Sequence, residues 1–490
     1  MKRNPALMTS LVLLAGAFAA LSAQPGSAQP GPPLFSTSLP KEEFAARRAK
    51  VLQRIGDGVA VIQGATETSS YEKFRQSNQF YYLTGVETPR AILVIDGRAR
   101  STTLYLNPTN EQMERSEGPS LGPGANAERL TGIDHVLPRG DFDKAAEALA
   151  GRTIYVTVRG ETVLMGTPDR AERHARAREA DPWDVQTSRE TWFRTKLTES
   201  ASGARFENLD DILDEMRMIK SPREIVLLRE SSKIAGITMM EAMRSAKPGM
   251  YEYEIEAIGD YIFKKSNAQG PAYFGLVASG KNAAWPHYHA AQARMTEGDL
   301  VLFDYAPDFH YYTSDVTRMF PASGRFTADQ RELYGIYLKL YQALMTSIHP
   351  GPTGEILTDA VKKMDAAMAS HEFANPKNRD AAARFVDGYR TRLGSPRPGA
   401  TVGHMVGMEV HDVQKNFTVY QPGMVLTIEP ALTIPEDRVY IRLEDMLLIT
   451  PTGYENMSRF APVEIEAIEK LMAEPGIAQL MRRSASTAIR

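Results

Sequence analysis

Two stretches of the chain alternate apolar and polar residues with the period of a β-strand, and each puts carboxylates on its polar face. In TIEPALTIPEDRVYIRLED (427–445) and the residue before it, Leu426, Ile428, Ile441 and Leu443 share one face. Thr427, Glu429, Tyr440, Arg442 and Glu444 share the other. Folding this segment about a two-residue Glu436–Asp437 loop sets Glu429 directly against Glu444. Like charges so opposed, about 5 Å apart at Cβ, repel. GDLVLFDYAPDFHYYTSDVTRMFP (298–321) has the same strand–turn–strand form. A loop at Phe309–His310 would oppose Asp304 and Asp315, although Pro307–Asp308 offers an earlier turn.

Elsewhere the pattern predicts two domains. From 41 to 200, short β-branched runs closed by Gly or Pro (GVAVIQG, AILVIDG, TLYLNP, TIYVTVRG) alternate with the helical stretches KEEFAARRAKVLQRI and DFDKAAEALAG. A boundary falls near LTESASGARFENLDD. The next helix begins at Ser221-Pro222-Arg223-Glu224, a capping box with Pro in the first turn, and ends at Lys247-Pro248-Gly249. Residues 206–468 then read as an α+β domain. Within it, 375–403 has the look of an inserted loop or helix-loop, and 469–490 form a C-terminal tail with a helix.

Composition adds two constraints. The 490 residues, 43% hydrophobic and 24% charged with net charge −3, are ordinary for a globular protein and give no basic excess for nucleic acid. Cysteine is absent, which excludes disulfides and thiolate chemistry and leaves His, Asp and Glu as metal ligands. Lys2 and Arg3, the apolar run from Leu11 to Leu21, and small residues around Ala23 read as a signal peptide (1–23) cleaved near Ala23. The run is short for a membrane span. A Pro/Gly-rich linker (24–40) follows, so the mature protein is expected to be secreted or periplasmic, with no stable membrane association.

Three familiar motifs fail on inspection. Gly275 to Lys281 resembles a P-loop, but Asn282 replaces the hydroxyl residue; His371-Glu372 has Asn375 where a zinc helix needs His; and no Gly-x-Ser-x-Gly elbow occurs. Two acidic hairpins in one domain point instead to bound cations, which would relieve the repulsion. Histidines stand nearby in AWPHYHA (His287, His289) and VGHMVGMEVHDV (His404, His411). An oxygen-rich set with one imidazole suits Mn²⁺ better than a structural zinc site.

At these residues the chain resembles the pita-bread metallopeptidases, specifically the Xaa-Pro aminopeptidase (aminopeptidase P) and prolidase family. The resemblance rests on IKSPREI, SGKNAAWPHY, GDLVLFDYAPDFHYYTSDVTRMFP, GHMVGMEVHD, PGMVLTIEP and RLED, and on FRQSNQFYYLTGVETPRAILVI in the N-terminal half. It implies an α+β fold, in which a smaller α/β creatinase-type domain precedes a pita-bread catalytic domain of two related halves. It also implies Asp304, Asp315, His404, Glu429 and Glu444 as ligands of two divalent ions, Mn²⁺ first and Co²⁺ or Zn²⁺ as alternatives. His287 and His411 match the family's active-site histidines, and Arg442 an arginine beside the last ligand. The sequence departs from the family at Tyr305-Ala306 after Asp304, at Ala431 after Glu429-Pro430, and at Ala400, where many members carry a further His.

The reaction so implied is hydrolysis of Xaa-Pro bonds in proline-containing peptides, releasing the residue before proline. Glu429 would shuttle the proton, His287 and His411 would donate to the oxyanion, and Arg442 would orient Glu444 or bind substrate. Tyr288 is a candidate wall for the proline ring. A homodimer or homotetramer is expected from the N-terminal domain. Alternatives are an Xaa-Pro dipeptidase, and a metal-free enzyme or binding protein on the same fold.

Overall fold

The computed structural model describes residues 33–68, 71–160, 168–184, 186–394, 402–413 and 418–480. The expected signal peptide, most of the linker, Ala400 and the end of the tail lie outside them. Among the described residues no helix is long and apolar enough to cross a membrane.

The N-terminal domain is a six-stranded mixed sheet built around strand Val59–Gln63. That strand pairs antiparallel with Ile92–Asp96 and parallel with Thr153–Val156. All four predicted strands are present, as is the Lys41–Ile55 helix, whose Phe44, Val51 and Ile55 are buried against the sheet. Two further strands were not expected. His135–Pro138 and Arg205–Asn208 are edge strands of four residues each, largely exposed and too short to show a clear alternating run. Arg205–Asn208 pairs parallel with Thr153–Val156, so the sheet extends past residue 200 to Asn208, inside the segment where the boundary is expected.

The second domain has two halves of the same plan, each with a pair of helices outside and antiparallel strands inside. Helices Pro222–Ser245 and Glu252–Lys265 cover strands Leu276–Ser279, Leu300–Asp304 and Thr317–Pro321. Helices Ala328–Met345 and Thr353–Ala369 precede strands Val425–Ile428, Val439–Arg442 and Asp445–Thr450. The predicted capping box is formed: Glu224 N donates to Ser221 Oγ at 3.2 Å, and Ser221 N donates to Glu224 Oε2 at 2.9 Å. The segment expected to be an inserted loop or helix-loop is mainly helix, Pro376–Arg392, capped by Asn375 with Pro376 in its first turn.

The N-terminal domain packs onto the tip of the first acidic hairpin. The Tyr81 and Tyr311 rings stack at 3.5 Å, Arg47 donates to Tyr312 Oη at 3.1 Å, and Arg75 pairs with Asp308 at 2.7 Å. Asn78 donates to Met408 O and to Glu409 Oε1 (3.1 and 2.7 Å), in the loop between His404 and His411. The domain without catalytic candidates thus braces two segments that carry them.

Candidate active site

The second acidic hairpin forms in the expected register. Ala431–Ile434 pairs with Val439–Arg442, and Val425–Ile428 with Asp445–Thr450, in one continuous alignment. Its loop is longer than the expected two residues: a 3₁₀ turn at Pro435–Asp437, then Arg438 in the left-handed region. Glu429 and Glu444 fall in the gap between the two ladders. There Glu444 N bonds to Thr317 O at 3.1 Å, joining this hairpin to the first.

The first hairpin corrects the expected register. Asp304 pairs with Thr317, not Asp315, and Phe309 pairs with Tyr312. The turn is His310–Tyr311, both at positive φ (52° and 73°), a conformation normally supplied by Gly or Asn. Tertiary contacts select it. Tyr311 stacks on Tyr81, donates to Glu87 Oε1 at 2.7 Å and accepts from Gln76 N at 2.9 Å. A slip of two residues preserves the face, so the carboxylates still converge.

The convergence is close. Ligand atoms of Asp304, Asp315 and Glu444 lie within 4.8 Å of one another, as do those of His404, Glu429 and Glu444, and those of Asp315, His404 and His411. All five expected ligands are therefore brought together, with His411 added. Its ring stacks on that of His404 at 3.7 Å. His404 Nε2 is 3.4 Å from both Asp315 Oδ2 and Glu429 Oε1. Gly403 permits this placement, because a Cβ there would lie 1.7 Å from Thr427 O. His287, expected as an oxyanion donor and not as a ligand, is exposed in the turn after the Gly280–Ala284 helix and belongs to none of the three ligand groups. Tyr288 is tied by its hydroxyl to Glu252 at 2.9 Å.

Several partners had no role assigned from sequence. Tyr273 Oη lies 2.6 Å from Asp304 Oδ1 and 2.9 Å from Asp315 Oδ1. Thr317 and Thr427 donate to the two oxygens of Glu444 at 2.7 and 2.8 Å. Strand alternation does place both threonines on the acidic face; nothing in the sequence around Tyr273 marks it. Arg442 pairs with Asp304 and stands 3.6 Å from Glu429.

The electrostatics favour cations. Burial, then Glu444 and Asp304, pushes Asp315 well above the usual carboxylate range; burial and neighbouring carboxylates raise Asp304 and Glu444 as well. Burial opposes the charge on His404, but Asp315, Glu429 and Glu444 outweigh it and hold the imidazole up at about 9. Four carboxylates and an imidazole, three of the acids buried and protonated more readily than in water, fit a site that divalent ions would neutralise. Asp315, His404 and Glu444 each belong to two of the groups, and of these the two carboxylates, with two oxygens each, are the ones able to be shared between two ions.

The cluster opens into a cavity of about 840 Å³, whose lining includes His404, His411 and Glu429. Its far wall is the Pro376–Arg392 helix, with Arg384, Phe385, Tyr389 and Arg392 facing in.

Comparison with known proteins agrees with this geometry. Residues 226–451 match metallopeptidase family M24, and residues 44–156 match the aminopeptidase P N-terminal domain. The chain is 29% identical to the Xaa-Pro aminopeptidase of Haemophilus influenzae over 466 residues, 89% of this chain and 99% of that one. It is 29% identical to the Xaa-Pro aminopeptidase of Escherichia coli, covering 89% and 98% of the two chains. The solved structure of Escherichia coli aminopeptidase P in complex with substrate superposes with a TM-score of 0.71 at 28% identity, covering 89% of this chain and 99% of the other. With both domains matched in order and the acidic cluster assembled inside the second, this chain belongs to the M24 metallopeptidases that carry an aminopeptidase P N-terminal domain.

Proposed function

We propose that the protein is an Xaa-Pro aminopeptidase, a hydrolase that removes the residue preceding proline from peptides. One observation carries the reading: six side chains, the five expected ligands and His411, converge as three ligand groups beside a peptide-sized cavity. Asp304, Asp315 and Glu444 would hold one divalent ion, and His404 and Glu429, with shared Asp315 and Glu444, the other. Bound there, the ions supply Lewis-acid polarisation of the scissile carbonyl and a water that ionises near neutral pH.

The chain's own residues do the rest. Thr317 and Thr427 fix both oxygens of Glu444, and Tyr273 and Arg442 fix Asp304, so the carboxylates meet substrate preorganised. Glu429, partly exposed at the cavity floor, takes the proton from the attacking water and passes it to the prolyl nitrogen, which has no N–H of its own. His411, in the cavity wall, donates to the oxyanion. Phe385 and Tyr389 offer apolar surface for the proline ring.

The finer assignments are Mn²⁺ as the native ion, from the oxygen-rich donors; export, from the leader in residues 1–23; and a homodimer or homotetramer. Metal analysis, N-terminal sequencing of exported protein and sedimentation test these in turn. The function itself is tested by hydrolysis of Xaa-Pro-Xaa tripeptides and Xaa-Pro dipeptides with and without added metal. Metal-dependent cleavage of the tripeptide before proline supports the reading; dipeptide-only cleavage reassigns it as a dipeptidase; metal-independent cleavage refutes it.

A further inference from the structure

We propose that Arg318 is a positioning residue of the metal site, holding the seam between the two acidic hairpins closed before any ion binds. The inference rests on the metallopeptidase reading of the cluster and adds the residue that keeps its ligands assembled against their own repulsion. Thr317 turns its side chain to the acidic face, so strand alternation puts Arg318 on the opposite one. There Arg318 is fully buried.

One guanidinium spans the seam. Nη1 donates to Thr317 O at 2.9 Å and to Glu444 O at 2.8 Å, one carbonyl from each hairpin. Nη2 donates to Asp445 Oδ1 at 2.6 Å and to Ser458 O and Ala461 O, each at 3.1 Å. Nε donates to Ala461 O at 3.2 Å, so all three nitrogens are engaged. Asp445 neutralises the charge and is itself fixed by the Ser458 and Tyr341 hydroxyls. What Arg318 gives the ligands is therefore position rather than charge.

The two carbonyls belong to the residues that join the hairpins. Thr317 O also accepts from Glu444 N at 3.1 Å, in an isolated bridge, and Thr317 Oγ1 donates to Glu444 Oε2 at 2.7 Å. Ligand atoms of Asp304, Asp315 and Glu444 lie within 4.8 Å of one another, so without an ion the ionised carboxylates push this seam open. Arg442 also crosses it, to Asp304 and Thr317 Oγ1, but from the acidic face, where it shares Asp304 with the ions. Arg318 acts from the other face. A planar fork reaches both carbonyls and Asp445 at once; the point charge of a lysine does not.

The test follows hydrogen exchange by mass spectrometry over residues 315–321 and 440–446, with and without Mn²⁺, in wild type, Arg318→Lys and Leu357→Ala. Leu357 is buried in the Thr353–Ala369 helix, so its truncation lowers stability without touching the seam. Chelator-treated wild type should keep both segments protected. Arg318→Lys should exchange them about tenfold faster or more, with Val59–Gln63 unchanged. Added Mn²⁺ should restore protection, at a dissociation constant raised about 10–100-fold by calorimetry. Leu357→Ala should show neither change. If Arg318→Lys does not fold, Arg318→Gln combined with Asp445→Asn removes the fork without stranding a buried charge and carries the same expectations. Seam exchange in chelator-treated wild type as fast as in the variant overturns the inference, as do equal effects of Arg318→Lys and Leu357→Ala; both leave the peptidase reading standing. Wild type that takes up no metal, with a seam still opened by Arg318→Lys, overturns the peptidase reading and supports the clamp.

Discussion

Stripping metal should leave a protein whose stability falls as pH rises, with His404 as a principal cause. Its imidazole goes from an ordinary 6.5 to about 9 in the folded protein. Burial opposes the charge, but the hydrogen bond to Asp315 and the nearby carboxylates outweigh it. The folded state therefore binds the proton more tightly than the unfolded chain. The resulting stabilisation is complete below pH 6.5 and is lost as pH climbs through about 9. At about 1.4 kcal/mol per pH unit, the interval between 6.5 and about 9 amounts to about 3 kcal/mol. Asp304, Asp315 and Glu444, raised above their ordinary range, change stability in the same direction. Urea unfolding of chelator-treated protein should be followed from below pH 6.5 to above pH 9, beside a His404→Asn variant. Wild type should lose about 3 kcal/mol more than the variant across that range. Metal-loaded wild type should lack this dependence, since a metal-binding imidazole has already given up its proton, and metal uptake at neutral pH should release protons. Equal losses in wild type and variant, or wild type gaining stability with pH, would refute the assignment of the proton to His404.

Other perturbations test the surroundings of the site. Thr317→Val removes one of two hydroxyls that orient Glu444 and should weaken metal binding by about 10–100-fold in calorimetry, with the fold retained by circular dichroism. Glu444→Ala, which removes a member of two ligand groups, should lower metal content and hydrolysis further still; full activity would sink the metal mechanism. Burial raises Glu409 to about 7, against the pull of Arg217, Asn78 and Arg75. Its stabilising proton is lost as pH rises through that value, so Glu409→Gln should be more stable than wild type at pH 8 by about 2–3 kcal/mol, and little different below pH 4.5. Asp412→Ala strands Arg217 and Lys220, both buried beside it, and should cost about 3–5 kcal/mol in the same urea assay.

How far the sequence led depended on whether local or distant contacts chose the conformation. Both strands of 427–445 alternate without interruption around a polar turn, so their register was legible even though the loop length was not. The 298–321 hairpin has comparable strands, but Tyr81 and Glu87 of the other domain dictate its turn, and no local pattern encodes them. Helix Pro376–Arg392 did carry signs: an Asn375 cap, Pro376, and Ala381, Phe385 and Tyr389 at four-residue steps. Its many charges and the Pro/Gly-rich end left a loop and a helix-loop both open. The four carboxylate ligands were legible because acids on a strand's polar face are conspicuous; His404 was singled out among four histidines only by the family resemblance. Tyr273, which hydrogen-bonds two of the carboxylates, was not legible, since an isolated tyrosine is ordinary core. His287, expected to face substrate and not to bind metal, stands exposed outside the ligand groups.

The two acidic hairpins share a feature that explains why they are built as strands at all. In each, one alignment holds on both sides of a gap: Asp304–Thr317 and Asp308–Thr313 in the first, Ile428–Asp445 and Ala431–Arg442 in the second. The carboxylates sit at or within these gaps. A closed ladder would commit its inward-facing backbone donors to the partner strand. Opening it for a few residues frees Glu444 N to bond Thr317 O across to the other hairpin. That cross-bond brings the two gaps together and turns two pairs of repelling acids into one cluster. The intact ladders on either side keep the register, so the opening does not become a slip that would turn the acids to the opposite face. Repulsion among the acids is thus held in place by strand pairing on both flanks and would be relieved by cations between the hairpins.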